Sequence, residues 1–136
     1  MRAGIFLFAL ALAGCNGGSE PGGEPVTDFV GQDWSLLTIS GAAVTPGPTL
    51  RVEADGHAGG NATCNRFFTR AVIAGNGVTF SPAGTTKMAC QPADRADQES
   101  RYTLTLSRVA HWRVDGGKLI LTDGDGSDVL TYAKAP

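Results

Sequence analysis

Thiol and imidazole side chains are the groups in this sequence that could carry covalent or metal chemistry, and there are few of them. The chain has three cysteines, Cys15, Cys64 and Cys90, and two histidines, His57 and His111. A catalytic thiol needs a histidine as its base, and His57, seven residues before Cys64, lies on a glycine-rich stretch with no recognisable orienting partner. A zinc site is also disfavoured, because no Cys-x-x-Cys or His-x-x-x-His pair occurs. With no nucleophile elbow or phosphate-binding loop either, we expect no catalytic residue, metal ligand or cofactor.

The beginning of the chain has the pattern of a bacterial lipoprotein leader. Arg2 gives it a positive start, and the apolar run 5–12 is too short to span a bilayer as a helix. The run ends in Leu12-Ala13-Gly14-Cys15, the small-residue pattern that lipoprotein processing recognises. We predict a signal peptide over 1–14 and several palmitate-type acyl chains on Cys15, since one chain alone binds a membrane only marginally. An ordinary secretory leader is the alternative.

Residues 15–25 are predicted to be the lipidated cysteine and a flexible tether. The segment 16–25 is rich in glycine and proline and has no apolar side chain that could join a core. Ten such residues reach about 17 Å, so the folded part should stay near the membrane. Asn16 stands where, in enteric-type sorting, aspartate would signal retention in the inner membrane. We therefore predict the cell envelope, on the periplasmic face of the outer membrane.

Export would leave Cys64 and Cys90 in an oxidising compartment, where two remaining cysteines tend to pair. A disulfide between them would close a loop of about 26 residues and stabilise the fold by about 3.5 kcal/mol in the chain-entropy model. We predict this disulfide, with Cα atoms about 4.4–6.8 Å apart. The catalytic thiol and the zinc site remain as the alternatives for these two cysteines.

Residues 26–136 are enough for one domain with a modest core and too few for two. The whole chain has a net charge of −2, and loss of Arg2 with the leader makes the mature part more acidic. Its lysines and arginines are scattered, without a basic run or interleaved aromatic residues. Nucleic-acid binding is therefore disfavoured.

Frequent glycine and Asp-Gly turns, with β-branched and aromatic residues between them, predict short antiparallel strands. We expect strands over 33–39, 49–53, 57–61, 67–73, 78–81, 110–114, 118–122 and 129–133. Asp55-Gly56 suits a tight hairpin turn. The run 123–128 resembles the start of a calcium loop, but Lys134 stands where the bidentate glutamate should be. We interpret the run as a hairpin turn.

One stretch, 93–109, lacks glycine and proline and predicts the single helix. Its apolar residues Tyr102, Leu106 and Val109 fall at helical spacing. Pro92 and a possible N-cap at Asp94 should set its start. We expect this apolar stripe to pack into the concave face of the sheet, against Trp34 and either Phe67 or Phe68.

Two short motifs surround the paired cysteines and carry a family resemblance. The first, Gly60-Asn61-Ala62-Thr63-Cys64-Asn65-Arg66-Phe67, resembles Gly-x-x-Gly-Cys-Asn-Arg-Phe, and the second is Thr85-Thr86-Lys87-Met88-Ala89-Cys90. These are similar to the paired signatures of the META domain (HslJ-like, DUF306) family. The matching residues are Gly60, Cys64, Asn65, Arg66, Phe67, Thr85, Thr86, Met88, Ala89 and Cys90. Thr63 stands where the family usually has glycine.

The resemblance implies a mainly β fold, a lipocalin-like curved antiparallel half-barrel closed by one α-helix. It matches the helix pattern at Glu99, Tyr102 and Leu106 as well. It also implies a non-enzymatic envelope lipoprotein, an accessory or binding module associated with stress or drug tolerance. The fold is similar to that of secretin-pilotin lipoproteins, which bind lipid or a peptide tail. We therefore expect a monomer on the membrane, with an envelope protein, a lipid or a small apolar molecule as partner.

Two other function classes remain open. One is a partner-binding or inhibitor protein that acts through exposed loops, and the other, less favoured, is a hydrolase. Within the first signature, Asn65 and Arg66 could form a recognition pair in a groove. In the structural alternative, Asn65 binds turn backbone and Arg66 pairs with a carboxylate such as Glu99.

Overall fold

The computed structural model describes residues 25–136. The predicted signal peptide, the lipidation site Cys15 and all but the last residue of the tether lie outside the described residues, so they stay predictions. The part of the chain that the structure describes contains no helix long and apolar enough to cross a membrane.

Antiparallel strands form most of the domain. The chain begins with a short 3-10 turn (Val26–Asp28) and contains one α-helix among the described residues, α1 (Ala93–Leu106). The strands are β1 (Asp33–Ile39), β2 (Ala42–Ala43), β3 (Thr49–Val52), β4 (His57–Asn61), β5 (Arg66–Ala74), β6 (Gly77–Phe80), β7 (Gly84–Thr85), β8 (Val109–Asp115), β9 (Lys118–Asp123) and β10 (Asp128–Lys134). The predicted mainly β fold with one helix is confirmed.

The sheet closes into a barrel. Neighbouring strands follow the order β10, β9, β8, β6, β5, β4, β3, β1, and β1 pairs in turn with β10, with Leu36 opposite Tyr132. Strands β2 and β7 are two-residue additions on β1 and β5. The junction of β6 with β8 is short and runs through Gly77 and His111. Closure pairs the first long strand with the last and so removes the open edges a flat sheet would have.

Alternation along the strands places large side chains inside the barrel. The fully buried residues of the core include Trp34, Phe67, Tyr102, Trp112 and Tyr132. Among the described residues, the buried side chains all belong to 29–132, and the cross-linked cysteines lie in the same range. This core therefore lies within the predicted domain 26–136.

Helix α1 contributes Tyr102 and Leu106 to this core. The ring of Tyr102 meets that of Phe67 edge-on, with centroids 5.4 Å apart. Its hydroxyl donates to the Thr49 carbonyl oxygen at 2.9 Å and lies 3.0 Å from the hydroxyl of Tyr132. Burial raises the pKa of both phenols, so they stay neutral and hydrogen-bonded. Packing of the helix against Phe67 is confirmed.

Two details of the helix prediction, its end at Val109 and its N-cap at Asp94, are wrong, and the structure decides between the two alternative contacts. The helix ends at Leu106, and Val109 begins strand β8, where it is buried. The residue before the helix is Pro92, which makes no side-chain cap, and Asp94 lies in the first turn instead of at the N-cap. Phe68, the alternative contact, points outward and is 55% exposed. An apolar residue just past the helix end satisfies the helical pattern and the strand pattern equally well.

The 3-10 turn covers one end of the barrel. Phe29, which follows the turn, is fully buried, and its ring lies 5.2 Å from that of Trp112. The indole of Trp34 donates to the Phe29 carbonyl oxygen at 3.0 Å. The amide of Gly31 donates to Val52 at the end of β3. These contacts fix where the chain joins the barrel.

Candidate functional site

The two signature motifs meet beside helix α1. Strand β7 pairs with the start of β5, placing Thr85 opposite Phe67, and the amide of Thr86 donates to the Arg66 carbonyl oxygen at 3.0 Å. Cys64 and Cys90 form a disulfide with their Cα atoms 5.5 Å apart. The predicted disulfide is confirmed, and with their sulfurs bonded to each other neither cysteine is a nucleophile or a zinc ligand.

The side chain of Asn65 joins the two motifs. Its Oδ1 accepts from the Thr86 hydroxyl at 3.0 Å and from the Met88 amide at 2.6 Å. Its Nδ2 donates to the Met88 carbonyl oxygen at 3.2 Å and to Glu99 at 2.9 Å. An asparagine side chain has two donors and two acceptor lone pairs, so all four are used. Asn65 is buried and has no capacity left for a ligand, which favours the structural interpretation.

Glu99 ties this junction to the helix. Its Oε1 accepts from the backbone amides of Cys64 at 3.1 Å and Asn65 at 2.7 Å, and its Oε2 accepts from the Asn65 side chain. Burial acts to raise the pKa of this carboxyl, but the hydrogen bonds from Asn65 and Cys64 outweigh it and lower the pKa. The predicted Arg66–Glu99 pair is wrong, because Arg66 is exposed and Glu99 binds the backbone next to it.

Gln98 is buried beside this junction and was not predicted to be a site residue. Its side-chain amide accepts from the backbone amide of Thr45 at 2.8 Å and donates to the Thr45 carbonyl oxygen at 3.0 Å. It also donates to the Thr63 hydroxyl at 3.1 Å. A signal was present, because Gln98 lies one helical turn before Tyr102 and so falls on the apolar stripe.

Backbone geometry accounts for two of the signature positions. A Cβ on Gly60 would lie 2.5 Å from the Thr49 carbonyl oxygen, so only glycine fits there. Thr63 has φ of +148°, a conformation that favours the glycine usual in the family. The side chain of Thr63 is held by the buried hydrogen bond that its hydroxyl accepts from Gln98.

An apolar cleft lies at the barrel end next to the 3-10 turn. It has a volume of about 680 Å³. Its side chains are mostly apolar, with Thr27 and Glu53 as the polar ones. The apolar side chains are Val26, Val30, Val52, Ala54, Ala71 and Ile73. The barrel interior itself is filled by aromatic side chains, so this space lies between the barrel rim and the segment that follows the tether. This cleft could not be predicted from local sequence patterns, because its walls come from three separate segments of the chain.

The remaining candidate residues are not brought together. His57 is exposed and its Nδ1 lies 2.8 Å from the Asp55 carboxylate, while His111 is exposed on β8. Within residues 25–136 no three histidine, cysteine or acidic side chains cluster as metal ligands would. The run 123–128 is a hairpin turn as predicted, and the Asp123 carboxylate accepts from the amides of Asp125 and Ser127.

The fold and the joined signatures agree with a comparison against known families. The META domain family model matches residues 27–136. The chain belongs to the META domain family. The signature resemblance is thereby confirmed over nearly the whole described part of the chain.

Solved structures share the fold of this META domain. An NMR structure of a protein from Burkholderia xenovorans is 21% identical, with a TM-score of 0.64 and coverage of 87% of this chain and 92% of that one. A crystal structure of a DUF4847 family protein from Bacteroides vulgatus is 12% identical, with a TM-score of 0.58 and coverage of 79% and 95%. At these identities the likeness concerns the fold alone. A search of curated proteins finds no match.

Proposed function

We propose that this META-domain protein is a lipid-anchored lipoprotein of the cell envelope whose barrel is a non-enzymatic binding module for a small apolar ligand. The observation that carries the proposal is the apolar cleft of about 680 Å³ at the barrel end. Ligand pockets usually measure about 300–1,000 Å³ and are lined mainly by apolar side chains. A single acyl chain is the ligand class that fits a cleft of this chemistry.

Two further points favour the apolar cleft, and not the signature junction, as the binding site. The polar groups of Asn65 are all engaged within the protein, so that junction has no free hydrogen-bonding groups on its asparagine. The cleft, by contrast, has Val30 and Ile73 only partly buried, which leaves apolar surface for a ligand to cover. Covering that surface would contribute about 25 cal/mol per Å².

The lipid anchor is proposed from the leader pattern that ends at Cys15. An association with stress or drug tolerance is proposed from the family resemblance. The outer-membrane location is proposed from Asn16, which follows the predicted lipidation site. We also propose that the protein is a monomer. The alternative, a partner-binding protein acting through loops, would use Met88, which is 68% exposed on the segment between β7 and α1. Phe68 and Val72 are exposed on a strand and not on a loop.

A fatty-acid titration tests the cleft. The chain from residue 16 to 136, stripped of lipid, should bind a fluorescent fatty acid saturably at one site. Replacing Ile73 by Asp places an unpaired carboxylate in the cleft and should weaken binding about 10- to 100-fold. Val72→Asp is the matched control, because Val72 is adjacent to Ile73 on β5 but is 65% exposed on the outer face of the barrel. Equal weakening by both variants, or no saturable binding, would refute the proposal.

A further inference from the structure

The outer face of strand β5 carries a row of exposed side chains that alternate between basic and apolar. These are Arg66, Phe68, Arg70 and Val72, called here the β5 stripe. Phe68 is 55% and Val72 is 65% exposed. The alternation of the strand places the other set, including Phe67 and Ala71, in the core. The stripe is therefore fixed outward by the packing of the barrel.

Phe68 stands without cross-strand neighbours on either side. It pairs with Gly59 of β4 on one side and with Gly84 of β7 on the other. Cross-strand side chains normally cover one another on a sheet surface, and both positions opposite Phe68 lack a side chain. A Cβ at Gly59 would lie 2.5 Å from the Phe67 carbonyl oxygen. Only glycine fits at this position, so no side chain of β4 can cover Phe68 there. The ring of Phe68 therefore has no directly opposite side chain on either neighbouring strand, and more than half of the residue stays exposed.

The two arginines of the stripe form no direct ion pair with a carboxylate within the described residues. The carboxylate ion pairs there engage Arg51, which binds Asp33 and Glu53, and Arg113. Neither Arg66 nor Arg70 takes part in one.

The residues opposite the two arginines carry no carboxylate either. Asn61 faces Arg66, and His57 faces Arg70. The carboxylate of Asp55 binds His57 and also interacts electrostatically with Arg70, and the Asp55 backbone carbonyl oxygen accepts from Arg70 at 3.4 Å. In a chain with a net charge of −2, this stripe is a local positive surface.

The chain also enters the barrel beside one end of the stripe. Val26 and Thr27, just after the tether, line the same cleft as Ile73 and Gly75 at the end of β5. If Cys15 is lipidated, a step that rests on the proposed function, a tether of about 17 Å holds this end of the domain near the bilayer.

We propose that the β5 stripe is a membrane-docking surface for anionic phospholipid. Arg66 and Arg70 bind lipid phosphate groups, and Phe68 and Val72 enter the boundary between headgroups and acyl chains. Paired basic and apolar side chains are the chemistry that holds peripheral proteins on anionic bilayers. Docking would give the anchored barrel one fixed orientation on the membrane surface.

Vesicle binding by the chain 16–136, which has no lipid of its own, tests the proposal apart from the anchor. The protein should co-sediment with vesicles of phosphatidylcholine and phosphatidylglycerol, and bind pure phosphatidylcholine vesicles much less. Each arginine near an anionic surface raises the membrane affinity about fivefold, so the double variant Arg66→Gln/Arg70→Gln should bind about 25-fold more weakly. Arg101→Gln with Arg108→Gln is the matched control, because both residues are exposed elsewhere.

Phe68→Ser should also weaken binding, whereas Leu104→Ser, at a leucine that is 60% exposed on the helix, should not. Phe68→Trp supplies a direct reporter, and its emission should shift to the blue with anionic vesicles alone, since Trp34 and Trp112 are already buried. No binding to anionic vesicles, equal losses in the control variants, or an unshifted Phe68→Trp emission would overturn the proposal. A fatty-acid affinity unchanged in Phe68→Ser separates this surface from the cleft.

Discussion

Glu99→Gln tests whether one carboxylate holds the signature junction to the helix. Glu99 accepts three hydrogen bonds, two from backbone amides and one from the side chain of Asn65. Glutamine keeps the shape and one acceptor oxygen, but its NH₂ group would face the Asn65 NH₂ group, and two donors cannot bond. One lost bond to a charged group is worth about 1.5–3 kcal/mol. We expect Glu99→Gln to lower the free energy of unfolding by that amount at pH 7 and to lower the thermal midpoint by about 6–12 °C.

The pH dependence gives the same test a second readout. Since the pKa of Glu99 is lower in the folded state than in the unfolded chain, the folded state binds fewer protons. The Glu99 carboxylate therefore contributes to the free energy of unfolding above its pKa in the unfolded chain, about 4.3. This contribution is lost as the pH falls through the lower pKa of the folded state. Urea unfolding of wild type and Glu99→Gln should therefore differ at pH 7, and the difference should shrink as the pH falls below about 4.3 and through the lower pKa of the folded state.

Asp97→Asn is the matched control, because Asp97 lies on the same helix and is exposed. It should change the free energy of unfolding by less than about 0.5 kcal/mol. If Glu99→Gln behaves like this control at pH 7, or its deficit is the same at acid and neutral pH, the carboxylate does not hold the junction.

Three further predictions concern the anchor, the core and the cross-link. Cys15→Ser should move the protein from the membrane to the soluble fraction without unfolding it; continued membrane retention would contradict the lipid anchor. Leu106→Ala should lower the free energy of unfolding by about 2–5 kcal/mol in urea titration, because Leu106 is fully buried, while Leu104→Ala should be near neutral. Thiol counting on denatured, unreduced protein should find Cys64 and Cys90 blocked, and reduction should cost about 3.5 kcal/mol; two free thiols would refute the cross-link.

The sequence by itself determined the strands, the family and the cross-link. Period-two alternation and turn residues depend only on near neighbours in the chain, so the eight long strands were predicted to within a residue or two. Strands β2 and β7 were missed, since two residues are too few to show a period. The pairing of Cys64 with Cys90 followed from the inferred export and from their being the only two cysteines left after Cys15.

Tertiary structure decided the contacts of the polar signature residues. Asn65 and Arg66 are adjacent in sequence, yet one is buried and the other exposed, because Phe67 faces the core and fixes which side of β5 each neighbour takes. Glu99 reached the backbone of Cys64 and Asn65 because the helix packs Tyr102 into the barrel, and that docking places the carboxylate. Barrel closure, the cleft and the β5 stripe likewise join segments far apart in the chain, and their spacing depends on the packed core and not on local periodicity.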